Sequence, residues 1–121
     1  MTQAQRRRVL IVEDEPTLRL NYSRAFQPCY DLAFAANGAE AMDEVQSHSP
    51  DLAVLDMRLP DTDGIDLLRR IRRSLPDLPV IITTAYLSVE PQLRALDLPH
   101  SGYIVKPFHL DDLRARIDAL L

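Results

Sequence analysis

Five apolar runs, each followed by a segment of helical periodicity, predict an α/β fold of the (βα)5 type. Such a chain makes one parallel sheet, doubly wound, with helices on both faces and right-handed crossovers. Three observations carry this expectation. Val-Leu-Ile-Val at 9–12, Leu-Ala-Val-Leu at 52–55 and Val-Ile-Ile at 80–82 are unbroken apolar runs, as in strands buried on both faces. The segments between them repeat apolar residues at three- and four-residue spacing. The length, 121 residues, suits a single core of ordinary size.

The elements follow in order. The first strand, 9–12, ends in Glu13-Asp14-Glu15, and Pro16 is well placed in a first helical turn. Leu18, Tyr22, Ala25 and Phe26 stripe that helix, and Pro28 helps to end it. Tyr30, Leu32, Phe34 and Ala36 alternate with other residues, the pattern of an edge strand. Asn37-Gly38 marks a turn; Ala41, Met42 and Val45 stripe the second helix, closed by Ser49-Pro50. The third strand stops at Asp56, and Pro60, Asp61, Asp63 and Gly64 signal a turn. Ile65, Leu68, Ile71 and Leu75 then recur at helical spacing. The fourth strand spans 79–85. A weak helix of about two turns is expected over 88–98, with Pro91 in its first turn and Pro99 after it. Tyr103-Ile-Val-Lys106-Pro107 is the fifth strand. Leu110, Leu113, Ile117 and Leu120 stripe the last helix, with Asp111 and Asp112 suited to its N-terminus. Four of the five strands read as sheet-interior.

The composition bounds the class. Hydrophobic residues make up 46% and charged residues 26%, the balance of a soluble globular protein. No apolar run approaches the ~20 residues of a membrane span, and the polar start lacks a secretory signal, so a cytoplasmic location and no membrane partner are expected. The lone Cys29 cannot form an internal disulfide and is expected to be a small buried thiol. A net charge of −4 argues against direct nucleic-acid binding. Arg6-Arg7-Arg8 reads as a solubilising tail, and Arg69, Arg70, Arg72 and Arg73 as a solvated helix face. Thirteen of the 14 basic residues are Arg, which sets Lys106 apart. Its compact ammonium is a point charge that the guanidinium fork does not reproduce.

Polar residues gather where the strands end. Glu13 and Asp14 follow the first strand and Asp56 ends the third; Thr84 ends the fourth and Lys106 the fifth. The carboxyl ends of parallel strands share one edge, and in open α/β sheets ligands bind there. Taken singly, these residues are ordinary: loop acids or N-caps, a β-branched strand residue, a surface charge. Their coincidence points to one site. Acids crowded in one crevice repel by about 4 kcal/mol per pair at 4 Å and an effective dielectric of 20, so a proton or a cation must relieve them. Oxygen ligands without His or Cys favour Mg²⁺ or Mn²⁺ over zinc. Asp61-Thr-Asp63-Gly64 lacks the spacing and closing Glu of a calcium loop and reads as a turn. A carboxylate beside a metal, a lysine and a hydroxyl suits phosphoryl transfer, with Asp56 as nucleophile.

As a set, four motifs resemble the receiver domain of two-component response regulators over 8–121, leaving 1–7 as a polar tail. They are Val-Leu-Ile-Val-Glu13-Asp14-Glu-Pro, Val-Leu-Asp56-Met-Arg-Leu-Pro60-Asp-Thr-Asp-Gly64, Thr84-Ala85 and Tyr103-Ile-Val-Lys106-Pro107-Phe108. From Asp14 to Asp56, Thr84 and Lys106 the successive separations are 42, 28 and 22 residues, similar to those usual in the family. The resemblance implies the flavodoxin-like sheet order 2-1-3-4-5. It implies that Asp56 accepts a phosphoryl group from a sensor histidine kinase or phosphotransfer protein, assisting its own phosphorylation and dephosphorylation without being an enzyme on external substrates. Asp14 and Asp56 would ligate Mg²⁺, with Glu13 helping through water and Arg58 by its backbone carbonyl. Lys106 would pair with the phosphate, Thr84 would reorient toward it, and Tyr103 would turn inward. Partners would read the face formed by the fourth helix, fifth strand and last helix. A cis Lys106–Pro107 bond is also implied.

The departures from the family pattern lie near that face. Pro99-His100-Ser101-Gly102 replaces the usual Gly-Ala before the fifth strand, and Pro91 sits in the fourth helix. They predict a short or mobile helix there and bear on the family's homodimerisation on phosphorylation. His100 reads as a loop residue, and Arg58 and Tyr86 as flanking groups that tune phosphoryl loss. Two other functions compete with this one. A phosphohydrolase working through an aspartyl intermediate would need a second acid to activate water, and Met57 and Arg58 leave no Asp-x-Asp pair. A pseudo-receiver that binds partners without chemistry would not need the full set of acids, Thr84 and Lys106. The chain reads as a stand-alone regulator or as a receiver excised from a longer protein, and the abrupt end of the last helix is what excision would leave.

Overall fold

A computed structural model describes residues 6–85 and 102–121. The expected helix over 88–98, and the readings of Tyr86, Pro91 and His100, lie outside these residues. Five strands, β1 (Arg8–Val12), β2 (Asp31–Ala35), β3 (Leu52–Asp56), β4 (Val80–Thr84) and β5 (Gly102–Val105), form one parallel sheet in the order β2-β1-β3-β4-β5. Helices α1 (Pro16–Phe26), α2 (Gly38–His48), α3 (Gly64–Ser74) and α4 (Leu110–Leu120) accompany them.

The sheet divides the core by strand alternation. Leu10, Val12, Ala53, Leu55, Val80 and Ile82 point to one face, where they meet Ala41, Met42 and Val45 of α2 and Leu67, Leu68 and Ile71 of α3. Val9, Ile11, Leu52, Val54, Ile81 and Ile104 point to the other, against Tyr22 and Phe26 of α1 and Leu113 and Ile117 of α4. Both faces are covered, which is why β1, β3 and β4 carry continuous apolar runs. The Tyr30 hydroxyl donates to Asp118, tying the entrance of β2 to α4.

Four expectations need correction. Three strands are interior, not four: β5 is the second edge, because an open five-stranded sheet must have two. Cys29 is exposed, since it falls in the turn between α1 and β2 and not on a packed face. The Arg6–Arg8 stretch is more than a solubilising tail. Arg6 donates to the Gln27 carbonyl, Arg8 donates to that of His48 and pairs with Asp31, and the Arg7 carbonyl accepts from Asp31 N–H. On α3, Arg69 and Arg73 are exposed as expected, but Arg70 and Arg72 are half-buried, and Arg72 donates to the Leu75 carbonyl past the helix end. The α3 stripe also includes Leu67, fully buried, while Ile65 and Leu75 are half-buried. The cis Lys106–Pro107 bond is present.

Candidate functional site

The register brings the strand ends together. Val12 pairs with Leu55 and Asp56 with Thr83, so Glu13 and Asp56 leave the sheet beside each other. Thr84 pairs with Val105, which delivers Lys106 to the same edge, and the Lys106 amide donates to the Thr84 carbonyl at 2.7 Å. Glu13 N–H donates to the Ala35 carbonyl at 2.9 Å, extending the β1–β2 ladder to the acid itself.

Beyond β3, short-range capping shapes the chain. Asp63 is the N-cap of α3, its Oδ1 accepting from Asp66 N–H at 2.7 Å. Gly64 N–H donates to the Met57 carbonyl at 2.7 Å, and a Cβ at Gly64 would stand 2.9 Å from Met57 Cα. Only glycine allows this approach of α3 to the residue after Asp56. Asp61 reaches away from β3: its carboxylate accepts from Gly38 N–H at 2.7 Å and from Ala39 N–H at 3.1 Å. It thereby shares the capping of α2 with Asn37, which accepts from Glu40 N–H. Asn37-Gly38 is thus a helix start as well as a turn.

The side chains converge on Lys106. Its Nζ lies 3.1 Å from Glu13 Oε1 and 3.2 Å from Asp56 Oδ1. Oxygens of Glu13, Asp14 and Asp56 all lie within 4.8 Å of one another. Glu13 is 2% exposed and Asp56 8%, whereas Asp14 is exposed. Burial, then the Asp56 charge, holds the Glu13 carboxyl above the usual range against the pull of Lys106. Burial likewise raises Asp56, reinforced by Asp14 and opposed by Lys106 and the Arg58 amide. Burial alone would lower Lys106, but its two carboxylate partners outweigh burial and raise it.

The other expected residues take these positions. Thr84 is fully buried at the end of β4. Tyr103 on β5 is half-buried against the core beneath α2 and α3, and its carbonyl accepts from Arg116 at 3.3 Å. Arg58 lies in the loop after Asp56, bridged to Asp63, with its amide toward Asp56. Sequence reasoning missed Asp61 as a clasp between two loops. Its carboxylate is held below the usual range, chiefly by the Gly38 amide.

The donor set fits a hard divalent cation. Three carboxylates, two of them buried, offer oxygen alone, the chemistry that Mg²⁺ or Mn²⁺ prefers over zinc. The ammonium of Lys106 offsets only part of their charge.

The chain matches the family profile described as response regulator receiver domain over residues 9–118. It is 37% identical over 115 residues to the response regulator MprA of Mycobacterium avium (strain 104), covering 94% of this chain and 50% of that protein. The chain thus spans about half the length of the curated relatives it matches. Among solved structures, the non-phosphorylated HemR receiver domain of Leptospira biflexa superposes with a TM-score of 0.82 at 35% identity, covering 94% of this chain and 93% of that one. The response regulator TrrA of Thermotoga maritima, solved in complex with Mg²⁺–BeF, gives 0.83 at 32% identity, with 95% and 99% coverage. A strand order of 2-1-3-4-5, an acidic notch at its carboxyl edge and these likenesses agree: the chain belongs to the response regulator receiver domain family of two-component signalling.

Proposed function

We propose that this receiver is a phosphorylation switch whose acceptor is Asp56. The observation that carries the reading is the placement of one lysine ammonium at 3.2 Å from Asp56 and 3.1 Å from Glu13, at the edge where Asp14 also lies. An Asp56 oxygen attacks the phosphorus of a phosphohistidine on a sensor kinase or phosphotransfer protein. The new O–P bond forms as the P–N bond breaks, and the imidazole leaves with a proton. Asp14 and Asp56 would hold Mg²⁺, helped by Glu13 through water and by the Arg58 carbonyl. When bound, the ion supplies positive charge opposite the transferring oxygens. The Thermotoga relative, solved with Mg²⁺–BeF, supports this reading.

Lys106 is already held at the acceptor by two carboxylates. As the Asp56 carboxylate becomes an acyl phosphate, the ammonium loses that charged partner and pairs with a phosphoryl oxygen. Thr84, at the adjacent strand end, turns its hydroxyl toward the phosphoryl group. Tyr103, half-buried one strand away, turns inward and changes the surface along β5 and α4 that partners, including a second copy of the chain, would read. A small phosphodonor with Mg²⁺ should add one phosphoryl mass to the wild type and none to Asp56→Asn, read by intact-protein mass spectrometry. Equal labelling of the variant would remove Asp56 from the acceptor role.

A further inference from the structure

One buried group near the acidic notch has no part in this chemistry. Tyr22, on α1, is 1% exposed, and its hydroxyl finds no hydrogen-bond partner among the described residues. A buried, unpaired hydroxyl destabilises the fold, and Phe would fill the same space without that cost. The ring stacks on Phe26 at 6.0 Å, so packing needs the ring and not the oxygen. Tyr22 also lines a cavity of about 510 Å³ that it shares with Asn21, Ala85, Pro107 and Lys106, the residue joining Glu13 to Asp56. The cavity's other walls are apolar, and the Tyr22 hydroxyl itself is buried, where a fixed dipole acts more strongly than in water.

We propose that Tyr22 is a positioning residue of the acidic notch: its buried O–H, without a competing partner among the described residues, orients toward the Glu13 and Asp56 carboxylates and supports the negative charge a divalent ion requires. Hydroxyl dipoles align with the local field, and a preoriented buried donor costs no reorganisation when the ion arrives. Burial, then the charges of Glu13, Asp56 and Glu15, hold the phenol well above its ordinary value, so it remains a donor at every working pH. The inference rests on the reading of the notch as an Mg²⁺ site.

Calorimetric titration with Mg²⁺ of the wild type and Tyr22→Phe tests it. The variant should bind about fivefold more weakly, the weight of a modest charge–dipole interaction in a buried setting, while its unfolding midpoint in chelator stays level or rises. In the wild type, the Tyr22 ring carbon bearing the hydroxyl should shift in the NMR spectrum as Mg²⁺ saturates. That measurement needs no variant. Equal Mg²⁺ affinity in the two proteins, or a Tyr22 resonance indifferent to Mg²⁺, would overturn the role of Tyr22 and leave the proposed function standing. A wild type that binds no Mg²⁺ would overturn both.

Discussion

Replacing Asp56 by Asn should make the protein more stable in the absence of divalent ions and less responsive in their presence. The three acids lie within 4.8 Å of one another. At that distance and an effective dielectric of about 20, the Asp56–Glu13 repulsion is about 3.5 kcal/mol. Exposed Asp14 adds less, about 1 kcal/mol, because water screens it. Lys106 at 3.2 Å returns about 5 kcal/mol of attraction. These terms nearly cancel, so the burial of Asp56 decides the sign, as its raised pKa states. Asn keeps the shape and an acceptor for Lys106 but sheds the buried charge. A gain of about 1–2 kcal/mol follows, or roughly 4–8 °C in Tm for a domain of this size.

The pH dependence carries the same sign. Asp56 and Glu13 have folded-state pKa values above their unfolded ones, so the native state binds more protons and wild-type stability falls as pH rises through that window. The gap between Asp56→Asn and wild type should therefore open from acid toward neutral pH. Excess Mg²⁺ should close or invert it, because an ion at a hundred times its Kd adds about 2.7 kcal/mol to the protein that binds it. Urea unfolding in chelator and in Mg²⁺, each at acid and neutral pH, measures all of this. An Asp56→Asn protein less stable than wild type in chelator at neutral pH would refute the reasoning.

Lys106→Met should act oppositely. It leaves Glu13 and Asp56 without their shared cation and should cost about 3 kcal/mol at neutral pH, less in acid where the carboxyls protonate, by denaturant titration. A Cβ at Gly38 would stand 2.6 Å from Thr62 Cγ2, so Gly38→Ala should cost about 1–3 kcal/mol. Thr62→Ser, which deletes that methyl, should recover most of the loss in a double-mutant cycle. Asp61 has a lowered folded pKa, so its contribution is present above its unfolded value and lost as pH falls. Asp61→Asn should flatten the acid limb of the stability profile, and an unchanged limb would show that the carboxylate caps nothing.

Much of the site was legible because parallel strands export their last residues to one edge. Once 9–12, 52–55 and 80–82 read as strands, Glu13, Asp14, Asp56 and Thr84 had to share that edge, and Lys106 followed from the fifth run. Distances were not legible: nothing in the residue order says that one ammonium spans Glu13 and Asp56. Cys29 misled because thiols are commonly buried, whereas its position is set by the turn after α1. The fifth strand looked interior because Ile104 and Val105 are apolar, yet position in the sheet depends on neighbours that periodicity does not encode. Asp61 and Asp63 were recognisable as turn formers, but the amides they satisfy come from chain geometry. Tyr22 fitted its helical stripe so well that its hydroxyl passed unnoticed.

The clasp made by Asp61 has a consequence for how signals could spread. Because one carboxylate from the segment after Asp56 holds the first amides of α2, two neighbouring rims of the crevice are stitched into a single frame. A disturbance at Asp56 that moves its own loop must carry the start of α2 with it or break the stitch. If Asp56 is the switch proposed above, the α2 side of the crevice is braced, and rearrangement would be steered toward the strands on the opposite side, where Thr84 and Tyr103 stand.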